Sequence, residues 1–188
     1  MIRVIGGMYR GKRLRRVPST STRPMPDKLK ESLLSIIQKK VRDSIFLDGF
    51  AGTGSVGIEA LSRGAKFVVF IDQFHSSVKT IQINLEKCDA ESKGRIIEKE
   101  FNRAVIQLAQ EKKKFDIIFL DPPYALLDER NPLKVIKKRG ILNTGGIIIL
   151  RRHFKTKFVS KFFELQRQTR IGDDILSFYI NSNPQEIK

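Results

Sequence analysis

From residue 44 onward, short apolar runs alternate with segments whose apolar residues recur every three or four positions. Residues 44–48 (SIFLD), 66–72 (KFVVFID), 94–100 (GRIIEKE), 115–121 (FDIIFLD) and 145–151 (GGIIILR) read as strands. Between them, 55–64, 76–88, 102–114 and 132–140 read as helices, the first and last closed by Gly64 and Gly140. FDIIFLD is continuous enough to be buried on both faces. Strand–helix alternation of this length predicts an α/β fold, with a mostly parallel sheet and helices on both sides. Two further β-like runs, 162–171 and 175–180, flank Gly172-Asp173-Asp174 and predict a closing antiparallel hairpin. Upstream, the loop-like stretch Pro18–Pro26 separates two regions. Before it, RVIGG and GKRLRRV read as two short strands around a turn at Gly6–Gly11. After it, Asp27 is placed to cap a helix through Leu29, Leu33, Leu34, Ile36 and Ile37. The expected organisation is a basic N-terminal hairpin and loop over 1–26, an α/β domain over 27–181 and a tail over 182–188.

Composition sharpens this picture. The 188 residues suffice for one domain with a real core, and a 40% hydrophobic fraction argues against wholesale disorder. No run approaches the roughly 18 apolar residues that span a bilayer, and the first residues carry no apolar leader. One cysteine, Cys88, excludes an internal disulfide and fits a reducing, cytoplasmic setting. Two histidines far apart, His75 and His153, make a zinc site unexpected. The net charge of +16 is unevenly placed: residues 1–42 carry a net +10 and residues 151–170 a net +6, so the middle is balanced. Basic ends around a neutral core predict a polyanion partner.

The first candidate chemistry lies in LDGFAGTGSVG (47–57). Gly52, Gly54 and Gly57 follow a strand and open a helix with the G-x-G-x-x-G spacing. Glycines there permit a tight turn and close approach of the backbone to a ligand at the helix N-terminus. Asp72, twenty residues after Gly52 and at the end of the next strand, is placed to hold a ribose. On the residues alone, a nicotinamide dinucleotide and S-adenosylmethionine both fit.

The second is Asp121-Pro122-Pro123-Tyr124, directly after the fourth strand. The two prolines have fixed φ and no N–H, so the turn offers carbonyls without competing donors. Asp121 adds a carboxylate. Together they form a rigid set of acceptors for an N–H₂ group, and Tyr124 can stack on a flat ring, a contact worth ~1–3 kcal/mol where bases are bound. An exocyclic amine is a poor nucleophile because its lone pair is delocalised into the ring. Acceptors on its hydrogens favour a pyramidal nitrogen able to attack a methyl sulfonium, with positioning and electrostatics as the main catalytic terms. A dinucleotide oxidoreductase has no use for this tetrapeptide.

Both motifs carry a resemblance. Asp48-Gly49-Phe50-Ala51-Gly52-Thr53-Gly54 resembles the loop of class I S-adenosylmethionine-dependent methyltransferases, a Rossmann-like fold. Asp121–Tyr124 resembles the motif of enzymes that methylate adenine N6, cytosine N4 or guanine N2. Three N-terminal stretches extend the likeness: Arg3-Val4-Ile5-Gly6-Gly7-Met8-Tyr9-Arg10-Gly11-Lys12-Arg13-Leu14, Thr22-Arg23-Pro24, and Asp27-Lys28-Leu29-Lys30-Glu31-Ser32-Leu33. With Gly57–Ala65 and the closing Gly172…Leu176-Ser177-Phe178-Tyr179, they resemble the RsmD family of bacterial 16S ribosomal RNA guanine-N2 methyltransferases over residues 2–180.

The resemblance implies that Asp48, Phe50, Ala51, Gly52, Thr53, Gly54 and Asp72 hold S-adenosylmethionine, with Glu100 or Phe101 near the adenine. It implies that Asp121, Pro122, Pro123 and Tyr124 form the amine site. Arg10, Lys12, Arg13, Arg15, Arg16 and Arg23 are expected to contact 16S rRNA phosphates in the small ribosomal subunit. The target guanine must be unstacked to reach Tyr124. A monomer without metal or membrane contact is the default expectation. A DNA adenine-N6 or cytosine-N4 methyltransferase and a non-catalytic RNA-binding assembly protein are the rival readings. Three departures stand out. Gly49 replaces a usual bulky residue and is expected to loosen packing. Met25-Pro26 replaces a hydroxyl-containing pair. Leu150-Arg151-Arg152 stands where an acid is frequent, and is expected to leave the cofactor and amine sites untouched.

Overall fold

Burial on both sides explains the uninterrupted apolar runs. A computed structural model describes residues 2–18, 25–123, 126–127 and 130–181. Five strands form the parallel part of one sheet: β3 (Ile45–Asp48), β4 (Phe67–Asp72), β5 (Gly94–Glu98), β6 (Phe115–Leu120) and β7 (Leu142–His153). Along β6, Ile117 and Phe119 enter one apolar cluster while Ile118 and Leu120 enter the other. On β4, Val68 and Phe70 oppose Val69 and Ile71 in the same way. A strand so placed has no polar face to show in its sequence.

The helices follow from that alternation. Helices α1 (Asp27–Ile36), α2 (Gln38–Val41), α3 (Ser55–Ser62) and α4 (His75–Glu86) contribute to the first cluster. Helices α5 (Phe101–Gln110) and α6 (Pro132–Arg139) contribute to the second. Asn131 caps α6 by accepting from the N–H groups of Leu133 and Lys134, and Gly140 ends it at φ 62°. With β8 (Glu164–Ile171) and β9 (Asp174–Ile180), the sheet order is β5-β4-β3-β6-β7-β9-β8. β9 runs antiparallel to β7, and β8 antiparallel to β9. The expected parallel sheet, its helices and its closing hairpin are therefore all present, with Gly172 at φ 61° in the hairpin turn. Among the described residues, no helix is long and apolar enough to cross a membrane.

Two local expectations are corrected. Asp27 does not cap α1: Pro26 holds that position, and Asp27 is the first helical residue. Its carboxylate acts there by charge near the helix N-terminus and lies 3.6 Å from Arg3 Nε. The fifth strand is longer than its apolar run, because β7 begins at Leu142. Residues 143–146 form a bulge between the Phe115–Leu142 and Ile117–Ile147 pairs. Asp116 fixes it, accepting from Asn143 Nδ2 at 2.7 Å and from Ile45 N at 2.8 Å.

The N-terminal strands β1 (Ile2–Arg3) and β2 (Arg13–Leu14) pair antiparallel over two residues only. So short a hairpin gains its stability from α3. Glu59, fully buried on that helix, accepts from Ile5 N and Gly6 N, both at 2.8 Å. Arg63 Nε lies 3.1 Å from the same carboxylate, and buried Lys30 Nζ lies 3.7 Å from it. Lys30 also donates to the Arg3 carbonyl at 2.8 Å. Ile2, Val4, Tyr9 and Leu14 join the same apolar cluster as α1 and α3.

Candidate active site

Strand β3 lies between β4 and β6, so the chain leaves its carboxyl end toward one side and returns on the other. Such a switch point opens a crevice at the strand ends. Here the crevice is a cleft of about 740 Å³. The glycine loop, Asp72, Asp121, Arg151 and Asp174 all line it.

The loop is held by its own backbone. Gly49 N donates to Phe119 O and Ala51 N to Ile71 O, each at 2.9 Å, which ties the loop to the two flanking strands. Gly52 (φ 54°) and Gly54 (φ 74°) occupy the left-handed region that L side chains rarely adopt. A methyl group at Gly52 meets no atom within 4 Å, so this turn faces open cleft. At Gly57 a methyl group would sit 2.3 Å from Phe70, so this third glycine lets α3 press onto β4. Asp72 follows the loop closely: Oδ2 accepts from Gly52 N at 2.8 Å and Oδ1 from Phe74 N at 3.0 Å. Burial nevertheless pushes the Asp72 carboxyl above its ordinary value.

Asp48 ends β3 with its side chain turned to α3, where Oδ2 accepts from Gly57 N at 3.0 Å. It is 1% exposed, and desolvation pushes its carboxyl up to about 7, with the negative charges of Asp121 and Asp72 adding to the rise. Phe50 stacks on Phe101 at 4.9 Å between ring centroids. Phe101 also corrects the expectation for Gly49. A Cβ at Gly49 would meet Phe101 at 2.7 Å and Leu120 at 2.8 Å, so the missing side chain leaves no looseness. Glu100 caps α5 by accepting from Arg103 N at 3.2 Å, and both Glu100 and Phe101 line the cleft.

At the opposite wall, Asp121 leaves β6 beside Pro122, which is buried, and Pro123, which is exposed. The Pro123 carbonyl accepts from Leu126 N at 2.9 Å. Tyr124 and Arg23 lie outside the described residues. Arg151 overturns the expectation that residues 150–152 leave this site untouched. Its Nη1 donates to Asp121 Oδ2 at 2.7 Å and its Nε to Asp174 Oδ1 at 3.0 Å. The apolar run into which Arg151 falls hid this role: parallel pairing sets Leu150 opposite Leu120, so the next residues, 151 and 121, emerge together at the sheet's end. Burial raises the Asp121 carboxyl, and the Arg151 guanidinium opposes that rise.

The basic N-terminal residues Arg10, Arg13, Arg15 and Arg16 are exposed. Lys12 pairs with Asp89 at 2.9 Å, and that contact raises its ammonium pKa. Asn84, which no motif singled out, joins this segment to the glycine loop. Its Oδ1 accepts from Arg15 N at 2.7 Å, and its Nδ2 donates to Thr53 O at 2.9 Å and Arg15 O at 3.1 Å. The buried side of α4 also carries Ser77 and Thr80, so nothing in the sequence pattern sets Asn84 apart.

The sheet order, the loop after β3 and the Asp-Pro-Pro turn after β6 define a class I methyltransferase fold. Solved structures agree on the fold. A hypothetical protein of Thermus thermophilus aligns with TM-score 0.82 and 25% identity, over 95% of this chain and 98% of its own. The T. thermophilus 16S rRNA guanine-N2 methyltransferase RsmC, solved with AdoMet and guanosine, aligns with TM-score 0.71 and 23% identity, over 87% of this chain and 45% of its own.

The family model described as "Conserved hypothetical protein 95" matches residues 2–180, and the chain belongs to that family, the RsmD family its motifs resemble. Two relatives carry the name ribosomal RNA small subunit methyltransferase D. The Escherichia coli K12 protein is 35% identical over 78% of this chain and 72% of its own length. The Haemophilus influenzae protein is 34% identical over 71% of this chain and 74% of its own.

Proposed function

We propose that this chain methylates the exocyclic N2 amine of a guanine in 16S ribosomal RNA, in the small subunit, using S-adenosylmethionine. One observation carries the reading: a glycine loop with its ribose-type acid and an Asp-Pro turn converge on a single cleft at the sheet's switch point. The family and the names of its relatives support the reaction type. An RNA substrate in bacterial relatives supports a cytoplasmic location and a basic RNA-docking segment over residues 1–26.

The residues present fit the methyl donor. Gly52 faces open space, and both oxygens of Asp72 are oriented by backbone N–H groups while keeping lone pairs for ribose hydroxyls. The loop from Phe50 to Gly54 would lie along the donor, Asp48 would brace it from below, and Glu100 and Phe101 would flank the far end. When bound, S-adenosylmethionine supplies an electrophilic methyl group. The chain's own part is to orient the amine. Asp121, through the oxygen that Arg151 does not take, and the Pro122 carbonyl accept its two N–H bonds. Tyr124 would stack the unstacked guanine. Held by these two acceptors, the amine would keep its lone pair free for the donor's methyl group, which would leave the sulfonium as the new N–C bond forms, and Asp121 or solvent would take the proton the amine loses. Preorganised acceptors of this kind act chiefly through positioning and electrostatics.

The decisive assay is transfer of labelled methyl to small subunits from a strain lacking this protein, with naked 16S RNA and genomic DNA in parallel. Label in N2-methylguanine of the subunits is expected. Asp121→Ala should lower transfer by roughly 100-fold or more and leave S-adenosylmethionine affinity within about twofold, as expected when an interaction specific to the transition state is removed. Label on DNA, or none on any substrate, overturns the reading.

A further inference from the structure

The carboxylate that meets the amine is itself held by a guanidinium. Arg151 emerges from β7 beside the end of β6, with its side chain 11% exposed. It divides its donors between two carboxylates, Nη1 to Asp121 and Nε to Asp174. Asp174 is the first residue of β9, directly after the hairpin turn, and its side chain is 16% exposed. One planar fork thus connects the ends of three strands. Arginine suits this place because its donors are rigidly spaced and its charge is permanent.

Among the described residues that line the cleft with Asp121, carboxylates outnumber cations, with Glu100 and Asp173 on one side of the balance and Lys99 on the other. Asp174 from β9 and Asp48 from β3 are close, Asp72 from β4 and His153 from β7 share the cleft wall, and Lys28 of α1 lines its rim. Several carboxylates in a partly buried cleft cannot all remain ionised without a cation among them. Among the described residues, Arg151 is the cation in direct contact with Asp121.

We propose that Arg151 is a positioning residue of the amine site: its Nη1 contact holds Asp121 as an anion with Oδ1 presented to the target amine, and Asp174 fixes Arg151 in that pose. The inference rests on the proposed function for its catalytic consequence, but the charge relation holds without any substrate. An ionised carboxylate is a stronger acceptor than its acid, and an acid proton on Oδ1 would face the amine's own N–H. Loss of the guanidinium therefore raises the pH at which Asp121 ionises, and weakens its grip on the amine below that pH. Loss of the fork alone misdirects the carboxylate without protonating it.

The test pairs a titration with kinetics on the full chain. Carboxyl ¹³C NMR follows the Asp121 midpoint without cofactor or RNA, assigned by comparison with Asp121→Asn. Arg151→Gln should raise that midpoint by about one to three pH units, the usual effect of removing a contacting opposite charge. Arg151→Lys should keep the midpoint near the wild-type value, because the charge remains, yet lower kcat several-fold. Asp174→Asn should lower kcat without raising the midpoint. In methyl transfer, the acidic limb of the Arg151→Gln kcat profile should move up by the same interval as the NMR midpoint, with KM for S-adenosylmethionine unchanged.

An unmoved midpoint in Arg151→Gln overturns the charge relation. A shifted midpoint with a wild-type kcat profile overturns the positioning role. Should Arg151→Gln fail to fold, full kcat in Arg151→Lys and Asp174→Asn overturns the role of the fork. If the wild-type chain transfers no methyl group to any RNA, the proposed function falls while the titration still decides the charge relation.

Discussion

Asp48 carries an ionisable group into a place with almost no water. Its carboxyl stands near 7 in the folded chain against about 3.9 in an unfolded one. The folded state therefore binds the extra proton between those values. Stability is greatest below about pH 4 in this respect and is lost as the pH rises through 7, by roughly 4 kcal/mol at most. Asparagine keeps an oxygen for the Gly57 N–H and removes the charge. Asp48→Asn should raise Tm at about pH 8 and leave it nearly unchanged at about pH 4, read by thermal unfolding at the two values. Equal shifts at both would show that Asp48 is not buried as an acid. The same desolvation acts on Asp121, but there a guanidinium is in contact and the balance differs. Two aspartates at the ends of neighbouring strands thus have separate chemistries because one meets a peptide N–H and the other an arginine.

At the level of helices and strands, the N-terminal segment and the glycine loop share one support. Helix α4 presents Asn84 to both, using its side-chain amide on Thr53 O and on both backbone groups of Arg15. Asn84→Ala leaves those groups without a partner, at about 1–3 kcal/mol for each buried one. The expected outcome is a several-fold loss of S-adenosylmethionine affinity by calorimetry, together with faster hydrogen exchange at the Arg15 amide. Unchanged affinity would show that the loop holds its shape through Gly49, Ala51 and Asp72 without Asn84. Helix α3 plays the corresponding part for the chain just after β1, where Glu59 accepts from Ile5 N and Gly6 N, so two helices anchor the N-terminal segment.

Across the molecule as a unit, a net charge of +16 predicts strong dependence of RNA affinity on salt. Each phosphate contact contributes a slope of about 0.7–0.9 in log K against log salt. Replacing Arg10, Arg13, Arg15 and Arg16 by alanine should reduce the slope by about 3 if all four meet phosphate. Filter binding to small subunits between low and physiological salt measures this. A slope that does not change would move the RNA contact to the second basic stretch, residues 151–170, which reaches the cleft through Arg151 and His153.

The order of amino acids sufficed for the layers, the strand–helix alternation, the glycine loop, the acid after the second strand and the Asp-Pro-Pro turn. Each of these is a local pattern: apolar spacing, a glycine at positive φ, a proline without an N–H. Contacts between segments distant in the chain waited for the assembled fold. Gly49 reads as a gap until Phe101, fifty-two residues later, fills it. Asn84 reads as an ordinary helical residue until folding brings Thr53 and Arg15 to it. Arg151 reads as the polar end of an apolar strand, and only the pairing of β7 with β6 sets it against Asp121. A hydrogen bond or ion pair across thirty residues has no periodicity, so its physical cause becomes visible only when the sheet assembles.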